Sequence, residues 1–205
     1  MTFTKFQFNN FCYWPSNPKK IVEFIGGSYL ASKPDLTYRR FIESLINKNY
    51  AVHAYKYTPQ FDHQQLAIKA WKDFKNCRIS LSKRIGASIP SIRIGHSLGC
   101  KLHLISPDGG RNCEKFISIS FNNFSANKSI PLLKQISQKL EFRSEFSPSP
   151  ERTLRIIKKT YTQKNNFLIK FKSDDLQLNY RILYPKNFDD SKTYPLTLFL
   201  HGNFN

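Results

Sequence analysis

Ser91-Ile-Arg-Ile-Gly95-His96-Ser97-Leu98-Gly99-Cys-Lys-Leu-His-Leu-Ile105 packs a strand, a turn and the start of a helix into one short segment. Ile92 to Ile94 is apolar and extended in character. It runs straight into Gly95-His96-Ser97-Leu98-Gly99, and Leu98, Leu102 and Ile105 then recur at helical spacing. A serine flanked at two residues on either side by glycine, between a strand and a helix, has the pattern of a nucleophile elbow. The turn is so tight that side chains at both flanking places would collide, so both must be glycine. Such a turn lifts the serine Oγ above the sheet and aims the helix N-terminus at it, which favours negative charge developing there. Ser97 is therefore the candidate nucleophile. His96 holds the variable place, and its ring is expected to point away from the serine and to pack beside the elbow.

Working outward toward the N-terminus, residues 6 to 14 are rich in aromatics and read as an opening strand that ends before Trp14-Pro15. Lys20-Ile-Val-Glu-Phe-Ile25 is a buried strand closed by Gly26-Gly27-Ser28. Glycines directly after a strand suggest close backbone approach. Beside an elbow, this loop would supply one oxyanion N–H, from Gly27 or Ser28, while the Leu98 N–H supplies the other. Tyr38, Phe41, Ile42, Leu45 and Ile46 recur at helical spacing, and Asn49 is placed to end that helix in a left-handed conformation. Tyr50 to Tyr55 reads as the next strand. Asp62 with Gln65 reads as a capping box that opens a helix with Leu66, Ala67, Ala70, Trp71, Phe74 and Leu81 on its apolar face. Strand and helix alternate up to the elbow, which means a parallel sheet with helices on its faces.

Working toward the C-terminus, Asp108-Gly109-Gly110 reads as a turn and Phe116 to Phe121 as a strand. From about 127 to 163 two helical stretches flank Glu145-Phe-Ser-Pro-Ser-Pro150. An insertion at that point of the chain is expected to form a cap over the site. Residues 128 to 172 hold eleven Lys or Arg against three Glu, so such a cap would be basic. Phe167-Leu-Ile-Lys-Phe171 is a strand, and Asp174 and Asp175 follow its carboxyl end, where catalytic groups of open α/β sheets gather. A carboxylate there fits the chain order serine, acid, histidine, with Asp175 favoured and Asp174 the alternative. Either residue also suits a helix N-cap.

The chain has 205 residues, 40% of them hydrophobic, enough for one well-buried α/β domain and too few for two complete ones. Thirty-two Lys and Arg against fourteen Asp and Glu give a net charge of +18. The cations are scattered in isolated pairs such as Lys19-Lys20 and Lys83-Arg84, without a nucleic-acid motif, so a solvated basic surface is expected and no specific nucleic-acid partner. Cys12, Cys77, Cys100 and Cys113 match neither a zinc site nor a disulfide framework, which reads as reduced thiols with no metal and no cofactor. No run approaches the ~20 apolar residues of a membrane span, and a soluble protein is expected.

Several stretches together resemble a domain-of-unknown-function family, number thirteen-fifty in its series, within the α/β-hydrolase superfamily. They are Tyr13-Trp-Pro15, Phe24-Ile-Gly-Gly-Ser28, Asp62-His63, Gly95-His-Ser-Leu-Gly-Cys100, Ser120-Phe-Asn-Asn-Phe124, Glu145-Phe-Ser-Pro-Ser-Pro150 and Phe167-Leu-Ile-Lys-Phe171, spanning about Phe11 to Asp175. The resemblance implies an α/β-hydrolase fold: a mainly parallel sheet, helices on both faces and a helical cap of about 127–163. Members occur mainly in photosynthetic organisms; the cytoplasmic place expected from the reduced thiols would be the plastid stroma in a photosynthetic eukaryote. It implies no assigned substrate. After Asp175 the chain instead resembles the opening of prolyl-oligopeptidase-like esterases, through Tyr194-Pro-Leu-Thr-Leu-Phe-Leu-His-Gly202. Residues 176–205 are accordingly expected to begin a second, truncated unit after a hydrolase-like domain of 1–175, which would leave that domain incomplete at its C-terminus.

Two functions are consistent with these residues. The first is a serine hydrolase of esterase, lipase or thioesterase type, acting on a small acyl or lipid-like substrate, with Ser97 attacking and Asp175 (or Asp174) orienting the base. An anionic substrate and peripheral membrane contact through the basic cap would follow from the charge. His201 is the one histidine that follows the acid in the chain, and it serves as the base only if residues 176–205 complete the first domain. The second is a non-catalytic scaffold or ligand-binding protein of the same fold, in which the catalytic histidine is missing. The sequence carries no signal for oligomeric state.

Overall fold

The computed structural model describes residues 2–130, 145–174 and 177–182. Two strands, β1 (Thr2–Gln7) and β2 (Asn10–Pro15), open the chain as an antiparallel hairpin. The single opening strand expected over residues 6 to 14 is therefore divided. Phe8 and Asn9 turn the chain with φ of 47° and 51°, the left-handed pair that a two-residue hairpin turn demands. Aromatic residues continue on both sides of the turn, so composition alone hides the break.

The chain then alternates through β3 (Lys20–Ile25), the short α1 (Pro34–Thr37), α2 (Arg39–Asn47), β4 (Tyr50–Tyr55) and α3 (His63–Ile85). It continues through β5 (Ser91–His96), α4 (Leu98–Leu104) and β6 (Lys115–Ile119), and the short α5 (Ala126–Ser129) follows. Helix α6 (Pro150–Thr160) leads into β7 (Asn166–Asp174) and β8 (Gln177–Ile182). The strands form one sheet in the order β1-β2-β4-β3-β5-β6-β7-β8. From β4 through β7 all neighbours are parallel, so their carboxyl ends share one edge; β1, β2 and β8 are joined antiparallel. This is the mostly parallel sheet with helices on both faces that the alternation implies.

Period-two alternation along the strands sorts the core. Val22 and Phe24 of β3, Val52 and Ala54 of β4, Ile94 and Ile119 pack with Phe41 and Ile42 of α2 on one face. On the other, Ile25 and Tyr55 pack against Leu66, Ala67, Ala70 and Phe74 of α3 and Leu102 of α4. Helix α3 starts where the capping box places it, with Asp62 Oδ1 accepting the Gln65 N–H at 2.9 Å. It ends at Gly86, which is left-handed with φ 73°. Asn49 is likewise left-handed, φ 64°, after α2.

Of the expected cap, residues 131–144 lie outside the described residues. Helix α6 is a crossover that spans the layer. Its first residue accepts Asn123 Nδ2 at the Pro150 carbonyl (2.8 Å), and the residues after its end reach the loop ahead of β6 through Thr162 N–H to the Gly109 carbonyl (2.9 Å). Ile156 and Ile157 pack on the α3–α4 side. Strand β8 folds back along β7, pairing Ile169 with Ile182 and Asp174 with Gln177. The rest of the expected second unit, residues 183–205, lies outside the described residues. Among the described residues no helix is long and apolar enough to cross a membrane.

Candidate active site

Ser97 sits alone between β5 and α4 with φ 52° and ψ −117°, a conformation costly for a residue with a side chain. Both flanking glycines are required sterically. A Cβ on Gly95 would lie 2.6 Å from the Cys100 backbone nitrogen, and one on Gly99 would lie 2.0 Å from the Ile25 carbonyl oxygen. The turn is held by the Ser97 N–H donating to the Ile119 carbonyl at 2.9 Å and by the Cys100 N–H donating to the Ser97 carbonyl at 3.0 Å. Ser97 is half-buried and lies at the edge shared by the strand carboxyl ends. Cys100 beside it faces the sheet; burial pushes its thiol up to about 12, which makes it inert at neutral pH.

The loop after β3 closes on the same point. A Cβ built on Gly27 would stand 3.4 Å from Ser97 Cβ and 3.0 Å from His96 Nδ1, so this backbone runs close beside both residues. Ser28 follows, half-buried, and no hydrogen bond among the described residues takes its N–H. The Leu98 N–H opens α4 and has no intrahelical acceptor. The fold thus brings Gly27 close to Ser97 and Leu98, with Ser28 next to it in the chain. The Gly27 N–H, however, donates to Tyr38 Oη at 2.8 Å. The same hydroxyl lies 2.8 Å from His96 Nδ1. The Tyr38 hydroxyl thus bonds both the Gly27 amide and the His96 ring.

None of the four histidines among the described residues is set to take a proton from Ser97. His96 has its Nδ1 engaged by the Tyr38 hydroxyl at 2.8 Å. His53 Nε2 accepts the Trp14 indole N–H at 2.9 Å, deep under α3, and burial followed by the nearby Arg78 charge drives its pKa down to about 3. His103 is stacked on Phe74, with ring centroids 5.8 Å apart, and burial, then Arg93, lowers it well below its ordinary value. His63 lies against Phe146 at the start of α3, and burial, then Lys101, lowers it to about 3.

Asp174 ends β7. Its register, Ile119 beside Ile169, puts Lys170 level with Ser97, so Asp174 lies four residues further along the strand, roughly 13 Å at 3.3 Å per residue. Asp175 and His201 lie outside the described residues. Sequence reasoning missed Tyr38, whose hydroxyl belongs to the site although its spacing reads only as an apolar helix position. It also missed Tyr57, which donates to the Gly26 carbonyl at 3.0 Å.

Among solved structures, a lipase shares this fold. The mature lipase BlEst2 of Bacillus licheniformis is 13% identical, with a TM-score of 0.50 over 76% of this chain and 66% of the lipase. TT1662 from Thermus thermophilus is 11% identical, with a TM-score of 0.47 over 82% and 88% of the two chains. The Francisella virulence factor BioJ is 16% identical, with a TM-score of 0.48 over 78% and 55%. The chain spans about two thirds of the lipase and just over half of BioJ. At such identities the likeness concerns the fold alone, which is the α/β-hydrolase fold. No curated protein matches the chain. The model of the family described as Protein of unknown function (DUF1350) matches residues 6–197, beyond the Phe11–Asp175 stretch in which the resemblance is legible, and the chain belongs to that family.

Proposed function

We propose that this protein is a serine hydrolase of esterase, lipase or thioesterase type. One observation carries the reading: Ser97 is held at φ 52° on a strand-to-helix turn, facing the backbone of the loop after β3. In this reading Ser97 Oγ attacks an acyl carbonyl and its proton passes to a base. The carbonyl π electrons move onto oxygen, where the Leu98 N–H and an N–H of the Gly27–Ser28 loop receive the charge. Collapse of that adduct breaks the bond to the alcohol or thiol, which leaves with the proton. Water then releases the acid by the same steps. Asp175, or Asp174, would orient the base and His201 would supply it. The substrate is a small acyl or lipid-like molecule, and the net charge of +18 favours an anionic one and peripheral membrane contact through the basic 127–163 region.

A second reading is favoured by a different observation. No histidine among the described residues stands ready beside Ser97, which suits a non-catalytic scaffold or ligand-binding protein of the same fold. Hydrolysis of 4-nitrophenyl acyl esters separates the two. Turnover by wild type that disappears in Ser97→Ala supports the hydrolase. Folded wild type no faster than Ser97→Ala supports the scaffold.

A further inference from the structure

The peptide unit joining Gly26 to Gly27 is gripped at both ends by phenols. Tyr57 Oη donates to its carbonyl at 3.0 Å, and Tyr38 Oη accepts its N–H at 2.8 Å. Both tyrosines are buried, with 5% of each exposed, and they come from different places: Tyr38 at the start of α2, Tyr57 after β4. Tyr38 is itself fixed edge-on against Phe24, centroids 4.7 Å apart, and against His96, 5.9 Å apart. The next carbonyl, of Gly27, accepts the Ala31 N–H at 2.9 Å. The Gly26–Gly27 peptide is therefore held at both ends and the Gly27–Ser28 peptide at its carbonyl, and among the described residues no hydrogen bond takes the Ser28 N–H.

We propose that Tyr38 and Tyr57 are positioning residues that clamp the Gly26–Gly27 peptide and consume the Gly27 N–H, so that Ser28, with Leu98, supplies the oxyanion donors. This rests on the hydrolase reading and decides between the two donors that the sequence leaves open. A hydroxyl on a rigid, buried ring suits the task because it accepts from the amide while its second bond, to His96 Nδ1, holds it in place. Without it, the buried Gly27 N–H is left to seek another acceptor, and the peptide is free to rotate about its axis. An oxyanion donor works by standing in place before charge develops, so rotation of this loop costs rate more than affinity.

The test uses a tagged fluorophosphonate as probe, on wild type, Ser97→Ala, Tyr38→Phe and Tyr57→Phe. Tyr38→Phe keeps the ring and its packing, and thermal unfolding checks that each variant is folded at the assay temperature. The expected result is labelling of wild type but not Ser97→Ala, with Tyr38→Phe at least tenfold slower at saturating probe and its half-saturating probe concentration unchanged. Tyr57→Phe should slow in the same way. Nitrogen chemical shifts of ring-labelled histidine give a readout independent of labelling: His96 Nδ1 is hydrogen-bonded in wild type and loses that bond in Tyr38→Phe. Folded Tyr38→Phe that labels at the wild-type rate overturns the clamp, as does a His96 Nδ1 resonance that Tyr38→Phe leaves unchanged. If wild type does not label at all, the hydrolase reading fails, and with it the oxyanion role.

Discussion

Asp108 grips Arg93 through both oxygens, Nη1 to Oδ1 at 2.9 Å and Nη2 to Oδ2 at 2.8 Å, with almost no solvent access to either side chain. Arg93 Nε also donates to Glu23 Oε2 at 3.1 Å, and Glu23 in turn pairs with Arg78. A guanidinium sits in the middle of the central strand because two carboxylates compensate it there. Removing one partner leaves an undercompensated buried charge, which is far costlier than losing a surface pair. Asp108→Asn is expected to lower stability by about 3 kcal/mol or more. Lys20→Ala, which breaks the partly exposed pair with Glu114, should cost less than about 1 kcal/mol. Urea unfolding of the two variants measures both, and equal losses would contradict the account.

Acid should unfold this protein early. His53, His63 and His103 are buried and held neutral, so in the folded state they refuse protons that the unfolded chain binds below its histidine pKa of about 6.5. Folded pKa values are depressed, so stability is complete above about pH 6.5 and declines as pH falls through the window down to about 3. Each ring contributes up to about 1.4 kcal/mol per pH unit. Asp108 adds to the loss further down. Burial raises its carboxyl pKa, but the Arg93 guanidinium and the Ser106 hydroxyl outweigh that and hold it well below the ordinary range, so its contribution fades as pH falls below about 4. With an ordinary total stability of about 5–15 kcal/mol, unfolding is expected between roughly pH 4 and 5. Urea midpoints that stay constant from pH 7 to pH 4 would count against neutral burial of these rings.

Gly99→Ala should be far more damaging than its single methyl suggests. The added Cβ would fall 2.0 Å from the Ile25 carbonyl oxygen, which belongs to backbone in the centre of the sheet and cannot step aside. A loss of about 3 kcal/mol, or insoluble protein, is expected. Ser97→Ala beside it removes only a hydroxyl and should melt within a few degrees of wild type. If Gly99→Ala melts with wild type as well, the close approach of α4 to β3 is wrong.

Much of the architecture is legible in the sequence because the governing signals are local. Gly95 and Gly99 around Ser97, the capping pair Asp62 and Gln65, and the apolar period of α3 each act over a few residues. What escaped depends on partners distant in the chain. Arg93 interrupts an apolar strand, and its carboxylates lie at Glu23 and in what reads as a plain turn, Asp108-Gly109-Gly110. The role of Tyr38 comes from where its hydroxyl ends up, beside Gly27 and His96, while its spacing marks only a helix face. The same holds for the histidines: only three-dimensional placement shows that His53, His63 and His103 are packed away from Ser97.

The central claim is that Ser97 is a nucleophile, and covalent capture tests it most directly. Wild type and Ser97→Ala are exposed to a fluorophosphonate, and the adduct is located by mass spectrometry of peptides. The account predicts one stoichiometric adduct on Ser97 of wild type and none on Ser97→Ala. Folded wild type that stays unmodified, or an adduct on a different serine that survives in Ser97→Ala, would contradict it.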